Sequence, residues 1–288
     1  MRAPGRLRVA FLGPRGTFSE EALRASAPAR IDGVPYPTVW DTVMAVQERA
    51  VDRAVVPIEN SLEGGVAATL DALATEADAV RIAGEVVLPV RHCVIAAREM
   101  PLEAVTRMFS HPQATGQCAR FLRERLRHAE RIDVGSTAEA VRIVRDSGEP
   151  WAALGSRLSA ELYGCRLLAE GVEDHPENLT RFVWLAPAPE IASHESRGAP
   201  AKTSIVFWGT GDERPGWLVS VLRELSDREI NLTRIESRPR RGRLGRYMFF
   251  ADLEGAEREP RVREALAALA RRVESLRILG SYPAAGPR

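Results

Sequence analysis

Between residues 202 and 282 the apolar residues switch back and forth between a helical and a strand period. That alternation constrains the fold more than any other feature. Leu218, Val221, Leu222 and Leu225 share one helical face, as do Val262, Leu266, Leu269 and Val273. Tyr247, Phe249, Ala251 and Leu253 alternate as strand residues do. The order predicted is strand 202–209, helix 217–228, strand 230–237, strand 246–254, helix 260–273, strand 276–282. A βαββαβ succession of this length is the ferredoxin-like unit, whose sheet buries one face under its two helices.

The rest of the 288-residue chain exceeds what that unit needs, so a second, larger domain precedes it. "LRVAFLG" is an apolar run closed by "GPRG", a buried strand entering a turn. Thr17 and Glu20 then form a capping box that opens a helix. A second helix is expected from near Thr38, a strand in "RAVVPIENS" that breaks at Pro57, and a helix in "GGVAATLDALATEA". The apolar stretch 82–97 reads as extended chain crossing into a second lobe, with a return near 165–186. "SHPQATGQ" and "DVGSTAEAV" repeat the strand, loop and helix pattern, the latter with its own capping box. Succession of this kind predicts a bilobal α/β domain over 6–186 and the ferredoxin-like domain over 202–283. "PAPEIASHESRGAPA" (187–201), without periodicity, is the expected linker.

Charge and cysteine usage remove several function classes. A net charge of +1 gives no electrostatic case for nucleic acid or an anionic membrane. No apolar run approaches membrane-spanning length, and the N-terminus lacks the apolar core of a signal peptide. Cys93, Cys118 and Cys165 are far apart and odd in number, which suits a reducing cytoplasm, and no metal-ligand spacing occurs.

In open α/β sheets, ligands bind beyond the carboxyl ends of strands. Four polar loops take such positions: "GPRGTFS" (13–19), "PIENSLEGG" (57–65), "SHPQATGQ" (110–117) and "DHPENLTRF" (174–182). None follows the dinucleotide or mononucleotide phosphate fingerprints, so a small anionic metabolite is the expected ligand. Helix heads near Thr17 and Gly64 offer N–H groups to its carboxylates. Capping and turn roles account better than catalysis for Thr17 and Ser61, and a structural hydrogen bond for His111 or an ordinary salt bridge for Arg181 accounts equally well. Glu59 and Asn60, at a strand edge, both need partners.

Taken together, "FLGPRGTFSEEA", "VPIENSLEGGV", "SHPQATGQC", "GVEDHPENLTRF" and "IESRP" resemble the prephenate dehydratases, in order and over about residues 8–283. The resemblance implies a catalytic domain like the type II periplasmic binding proteins, followed by an ACT regulatory domain. It implies conversion of prephenate to phenylpyruvate with loss of CO₂ and the ring hydroxyl, without metal or other cofactor. It implies that Thr180 of the Thr180-Arg181-Phe182 motif is essential, its hydroxyl assisting departure of the ring hydroxyl. A proton relayed from Glu59 or from His111 would complete that step, and the sequence leaves the two open. Asn60, Ser61, Gln113, Thr17, Arg181 and Phe182 are the expected substrate contacts.

In regular strand geometry Thr180 and Phe182 face one side and Arg181 the other. For the regulatory domain the resemblance implies a phenylalanine site made by Gly216, Leu218, Val219, Glu236, Ser237, Arg238 and Pro239, between paired chains. Trp217 there replaces a small residue. A homodimer or homotetramer is expected, with no chorismate mutase segment before residue 7. The alternatives are an arogenate-using relative and a non-catalytic amino-acid sensor.

Overall fold

The structure is a computed structural model, and it describes residues 6–28, 30–188, 200–209, 211, 214–240 and 245–285. Most of the expected linker, 189–199, lies outside the described residues. The chain forms two compact units. One holds the stretches up to Thr42, Ala54–Val66 and Val87–Phe182; the other holds Val43–Arg53, Ala67–Val86 and the chain from Val183 on.

Two sheets are formed largely by the first unit. Strands β1 (Leu7–Leu12), β2 (Ile31–Tyr36), β3 (Arg53–Asn60), β5 (Val80–Pro89) and β11 (Leu179–Pro187) lie in the order β2-β1-β3-β11-β5, with β4 (Gly64–Gly65) paired to β3. Strands β3, β5 and β11 each continue into the stretches of the second unit. The other sheet has β6 (Cys93–Ala96), β7 (Arg107–Ser110), β8 (Glu130–Asp133), β9 (Trp151–Gly155) and β10 (Arg166–Glu170) in the order β10-β6-β9-β7-β8. Read from β8, the second order repeats the first. In each sheet the fourth strand arrives by a crossover, β11 after β10 and β6 after β5. Parallel pairing of β7 with β8 and β9, against antiparallel β6, follows from that crossing.

Strand alternation sends neighbouring residues of the second sheet to opposite faces. Val94, Met108 and Ala152 pack with Leu122 and Leu126 of α5 (Ala119–Arg125) and its end. Cys93, Ile95, Phe109 and Ala153 pack with Ala140, Val141 and Val144 of α6 (Thr137–Ser147). A sheet covered on both faces reads as unbroken apolar runs. Ser136 caps α6 by accepting from the Glu139 N–H at 3.1 Å, the expected capping box. Burial raises the Cys93 thiol to about 11 and lifts Cys118 further, and all three cysteines are free.

In the second unit, β12 (Ala201–Trp208), β13 (Leu232–Pro239), β14 (Tyr247–Glu254) and β15 (Ser275–Pro283) form the sheet β13-β14-β12-β15. Helices α8 (Trp217–Ser226) and α9 (Pro260–Ala270) supply Val221, Leu225, Val262, Leu266 and Leu269 to its core. This is the ferredoxin-like order the periodicity predicts. The unit also contains α3 (Ala67–Thr75) and most of β5. Among the described residues no helix is long and apolar enough to cross a membrane.

Two expectations need correction. Proline lacks a ladder donor, yet β3 runs through Pro57 to Asn60. Gly64 and Gly65 belong to a short strand returning along β3, so α3 begins only at Ala67.

Within the second unit β15 crosses β5 closely: a Cβ on Gly280 would stand 2.2 Å from the Ile82 carbonyl oxygen. Gly280→Ala should therefore lower the urea unfolding midpoint by an amount equivalent to about 1–3 kcal/mol. Gly116→Ala, which meets nothing within 4 Å, should leave it nearly unchanged.

Candidate active site around Asn60 and Thr180

β3 ends at Asn60, and its side chain turns the chain into the β4 hairpin. The Asn60 Oδ1 accepts the backbone N–H groups of Leu62 (3.0 Å) and Glu63 (3.1 Å). Its Nδ2 therefore faces the other way, towards Thr180 Oγ1 (2.9 Å), Asn178 Oδ1 (2.8 Å) and the Leu179 carbonyl (3.2 Å). Ser61 completes the join: its N–H donates to the Leu179 carbonyl, and its Oγ accepts the Leu179 N–H, both at 2.9 Å. Asn60, Asn178 and Thr180 are all buried.

The next residue on each strand points the opposite way, as strand geometry requires. There the Arg181 Nε donates to Glu59 Oε2 at 3.0 Å, and the guanidinium is buried. Arg181 thus pairs with Glu59 across β3 and β11 and stands on the face away from Thr180. Phe182 is buried in the core.

Gln117, on the short helix α4 (Pro112–Gln117), closes the polar cluster from the other sheet. Its Nε2 donates to Glu63 Oε1 at 2.9 Å, and its Oε1 accepts from Asn178 Nδ2 at 3.3 Å. The same oxygen lies 3.0 Å from His92 Nε2. His92 is buried edge-on against Phe18, with centroids 5.4 Å apart, and its backbone N–H donates to Glu173 Oε2 at 2.9 Å. Burial pushes the His92 imidazolium down, more than the Gln117 bond and the Glu173 charge restore. For Glu173, burial alone raises the carboxyl, but the Arg91 guanidinium at 2.7 Å and the His92 N–H outweigh it. The net effect holds Glu173 below the usual carboxylate range.

Other expected site residues serve the heads of helices. Thr17 caps α1 (Phe18–Ser26), donating to the Leu12 carbonyl at 2.8 Å and accepting the Glu20 N–H at 3.4 Å. The Glu20 carboxylate takes the Gly16 N–H at 2.6 Å, so this helix head already holds a carboxylate of the chain itself. His111 caps α4 through Nδ1, which accepts the Gln113 N–H at 3.3 Å, while Gln113 is exposed. None of Thr17, His111 and Gln113 hydrogen-bonds to the Thr180 cluster. Asn178, Gln117 and His92 do belong to it, and sequence reasoning passed over them. Asn178 carried a usable signal, since an amide opening an apolar strand must find partners once buried.

The regulatory stretches lie on two elements. Gly216, with φ of 82°, opens α8, and Trp217 packs on Phe207 and Phe249 with centroids 6.4 and 5.9 Å apart. Leu218 leans on the same core, and Val219 is exposed. Along β13, Glu236 pairs with Arg234, Ser237 and Pro239 are exposed, and Arg238 grips Asp71 of α3 at 2.8 and 3.0 Å.

The prephenate dehydratase family model matches residues 9–190, and the ACT domain model matches 210–271. The chain belongs to the prephenate dehydratase family. It is 40% identical to a prephenate dehydratase from Mycobacterium sp. (strain JLS), over 96% of this chain and 89% of that one. It is 38% identical to arogenate dehydratase 1 from Petunia hybrida, over 96% and 67%. The solved prephenate dehydratase from Arthrobacter aurescens, in complex with L-Phe, is 36% identical with a TM-score of 0.87 over 96% and 90%. A solved quorum quenching acylase of a novel type is 32% identical with a TM-score of 0.85 over 96% and 98%. The fold class therefore stands as expected: a prephenate dehydratase catalytic domain of two α/β halves with an ACT domain after it.

Because Glu173 titrates below its ordinary value of 4.5, its contribution to stability is present above that value and is lost as pH falls through the lower, folded one. Glu173→Gln should melt below the wild type at pH 7. The gap should narrow steadily below about pH 4.5 in thermal melts across that range.

Proposed function

We propose that this chain converts prephenate to phenylpyruvate, with Thr180 assisting the departing hydroxyl. The bond from ring carbon to hydroxyl breaks, the bond to the ring carboxylate breaks, and that electron pair completes the aromatic ring. The hydroxide takes up a proton and leaves as water, and CO₂ departs. The observation that carries the reading is the 2.9 Å bond in which Thr180 Oγ1 accepts from Asn60 Nδ2. An oxygen that receives one N–H keeps its own proton for a different partner, here the leaving hydroxyl. A threonine hydroxyl is a weak acid, so its part is an aimed hydrogen bond, with the proton supplied from elsewhere.

The same bonds favour this lyase over an acyl-transfer enzyme on the same scaffold. A nucleophilic hydroxyl needs a base that takes its proton. The partners Thr180 and Ser61 have here, Asn60 and Leu179, present N–H groups to them, and an N–H donor cannot serve as that base. Glu59, paired with Arg181 on the opposite face, serves the strand pairing that carries Thr180. His111 and Gln113 at the head of α4, with Thr17 and Ser61, remain the residues to test for substrate contact.

The same reading assigns residues 6–186 to catalysis, 187–201 to connection and 202–283 to regulation. It takes phenylalanine as the effector, bound by the stretches around Gly216–Val219 and Glu236–Pro239 of paired chains, in the cytoplasm. Likeness to the Petunia arogenate dehydratase supports a second substrate, in which an amine replaces the side-chain keto group.

Purified protein given prephenate should release phenylpyruvate, and given arogenate should release phenylalanine more slowly. A preference for arogenate would reassign the substrate, and no turnover of either would remove the lyase reading. Thr180→Val should fold normally and lose at least about a hundredfold in kcat. Millimolar phenylalanine should shift activity and melting temperature through a coupling of about 1–3 kcal/mol. Identical curves with and without it would exclude the effector.

A further inference from the structure

The polar groups around Thr180 orient one another in sequence, and one end of that sequence is fixed by the backbone. An amide's oxygen and nitrogen are told apart by their partners. Asn60 Oδ1 accepts two backbone N–H groups, which can only donate, so Asn60 Nδ2 must face Asn178 and Thr180. Asn178 then has to present Oδ1 to Asn60, at 2.8 Å, and Nδ2 to Gln117. Gln117 must answer with Oε1. A second contact fixes it independently, because its Nε2 faces the Glu63 carboxylate at 2.9 Å. The group 3.0 Å away on His92 is therefore an N–H; with no acceptor facing Nδ1 among the described residues and burial disfavouring the imidazolium, His92 is the neutral imidazole protonated on Nε2.

The remaining nitrogen supports an ordered role for this ring. His92 Nδ1 is buried and has no hydrogen-bond partner among the described residues. A histidine kept only to fill the core would be expected to satisfy both nitrogens. This one spends its single side-chain hydrogen bond on Gln117. The opposite tautomer would aim a lone pair at Gln117 Oε1. Rotating Gln117 to relieve that would set its NH₂ against the Asn178 NH₂, and rotating Asn178 in turn would set it against Asn60, which the turn holds fixed.

We propose that His92 is a positioning residue for Thr180, acting through Gln117 and Asn178. This rests on the assignment of Thr180 to the prephenate reaction. The turn sets which way the Asn60 amide faces, and the chain from His92 holds that amide from the side, through the 2.8 Å bond to Asn178 Oδ1, so that its N–H stays on Thr180 Oγ1 and the threonine proton stays directed at substrate. His92 touches neither substrate nor Thr180.

His92→Leu removes the donor, whereas His92→Gln puts an amide N–H close to where Nε2 stood. Expected is a fall in kcat of about tenfold for His92→Leu with KM changed less than about threefold, and recovery of most of that loss in His92→Gln. In an Asn178→Ala background, where the chain is already cut, His92→Leu should cost less than about twofold. Should the leucine variant fail to fold, His92→Asn, whose amide stops one methylene short of Gln117, takes its place against His92→Gln. A leucine variant with wild-type kcat, a glutamine variant as slow as leucine, or an undiminished loss in the Asn178→Ala background would each overturn the proposal. Imidazole ¹⁵N NMR of the wild type supplies a readout independent of turnover: Nε2 protonated and Nδ1 bare is expected, and the reverse tautomer would refute it. Wild type without activity on prephenate would instead overturn the functional reading, and the NMR result would still decide the tautomer.

Discussion

Two backbone N–H groups, those of Leu62 and Glu63, close on the Asn60 Oδ1, and the orientation of the whole site descends from that turn. An N–H has no lone pair, so the amide cannot be flipped without orphaning buried or part-buried donors, a cost of about 1–3 kcal/mol for each group left unsatisfied. The hairpin that contains the turn also sets Glu59 opposite Gly65 and Asn60 opposite Gly64. With that register fixed, strand alternation separates two jobs. One face carries the amide and hydroxyl of Asn60 and Thr180, and the other carries the Arg181–Glu59 ion pair that ties β3 to β11.

The sheet orders explain why such distant residues meet. Asn60 and Thr180 are 120 positions apart, yet β11 is inserted directly beside β3. His92 lies on the connection from β5 to β6, and Asn178 just before β11, so both crossings between the sheets contribute a side chain to the network. A buried polar network of this kind is favourable only when its members are satisfied, since each unpaired group is costly at low dielectric. Asn60, Asn178 and Gln117 meet that condition. His92 Nδ1 does not. Unsatisfied groups beside a candidate site are the exceptions that function explains better than packing does.

What was legible in the sequence was the local part of this arrangement. The ferredoxin-like order could be read because each helix and strand there shows its own apolar period, and the Thr17 and Ser136 caps because a capping box spans only three residues. β2 escaped notice: "IDGVPY" contains a glycine and a proline, and its residues are mostly half-buried or exposed at a sheet edge. Pro57 misled in the opposite direction, because the neighbouring strands hold β3 extended on both sides of it. Gln117, Asn178 and His92 were invisible for a different reason. Their contacts span 25 and 61 positions, and nothing in a local window shows that an amide will be buried against another. Motif resemblance located the right loops, but it favoured the first residues of "SHPQ", whereas the structure joins Gln117, four positions beyond Gln113, to Thr180's partners.

Arg238 shows how far the same geometry constrains the regulatory strand. Its guanidinium lies fork-wise on the Asp71 carboxylate, and that hydrogen bond keeps Arg238 above its ordinary basicity. Asp71 is on α3, the helix that follows the Gly64–Gly65 hairpin in the chain. Arg277 of β15 reaches the C-terminal end of α3, donating to the Ala74 and Ala77 carbonyls and to Asp78 Oδ1 at 2.8 Å. Cations at a helix C-terminus are favourable in themselves, since the last carbonyls lack partners. Helix α3 is thus gripped from two strands of the regulatory sheet, at its middle and at its C-terminal end, by arginines already hydrogen-bonded there. A carboxylate effector that recruited Arg238 would have to take those donors from Asp71. The free energy of that exchange, set against a helix that begins at Ala67, just past the hairpin that holds Asn60, is the form any coupling through this arginine must take.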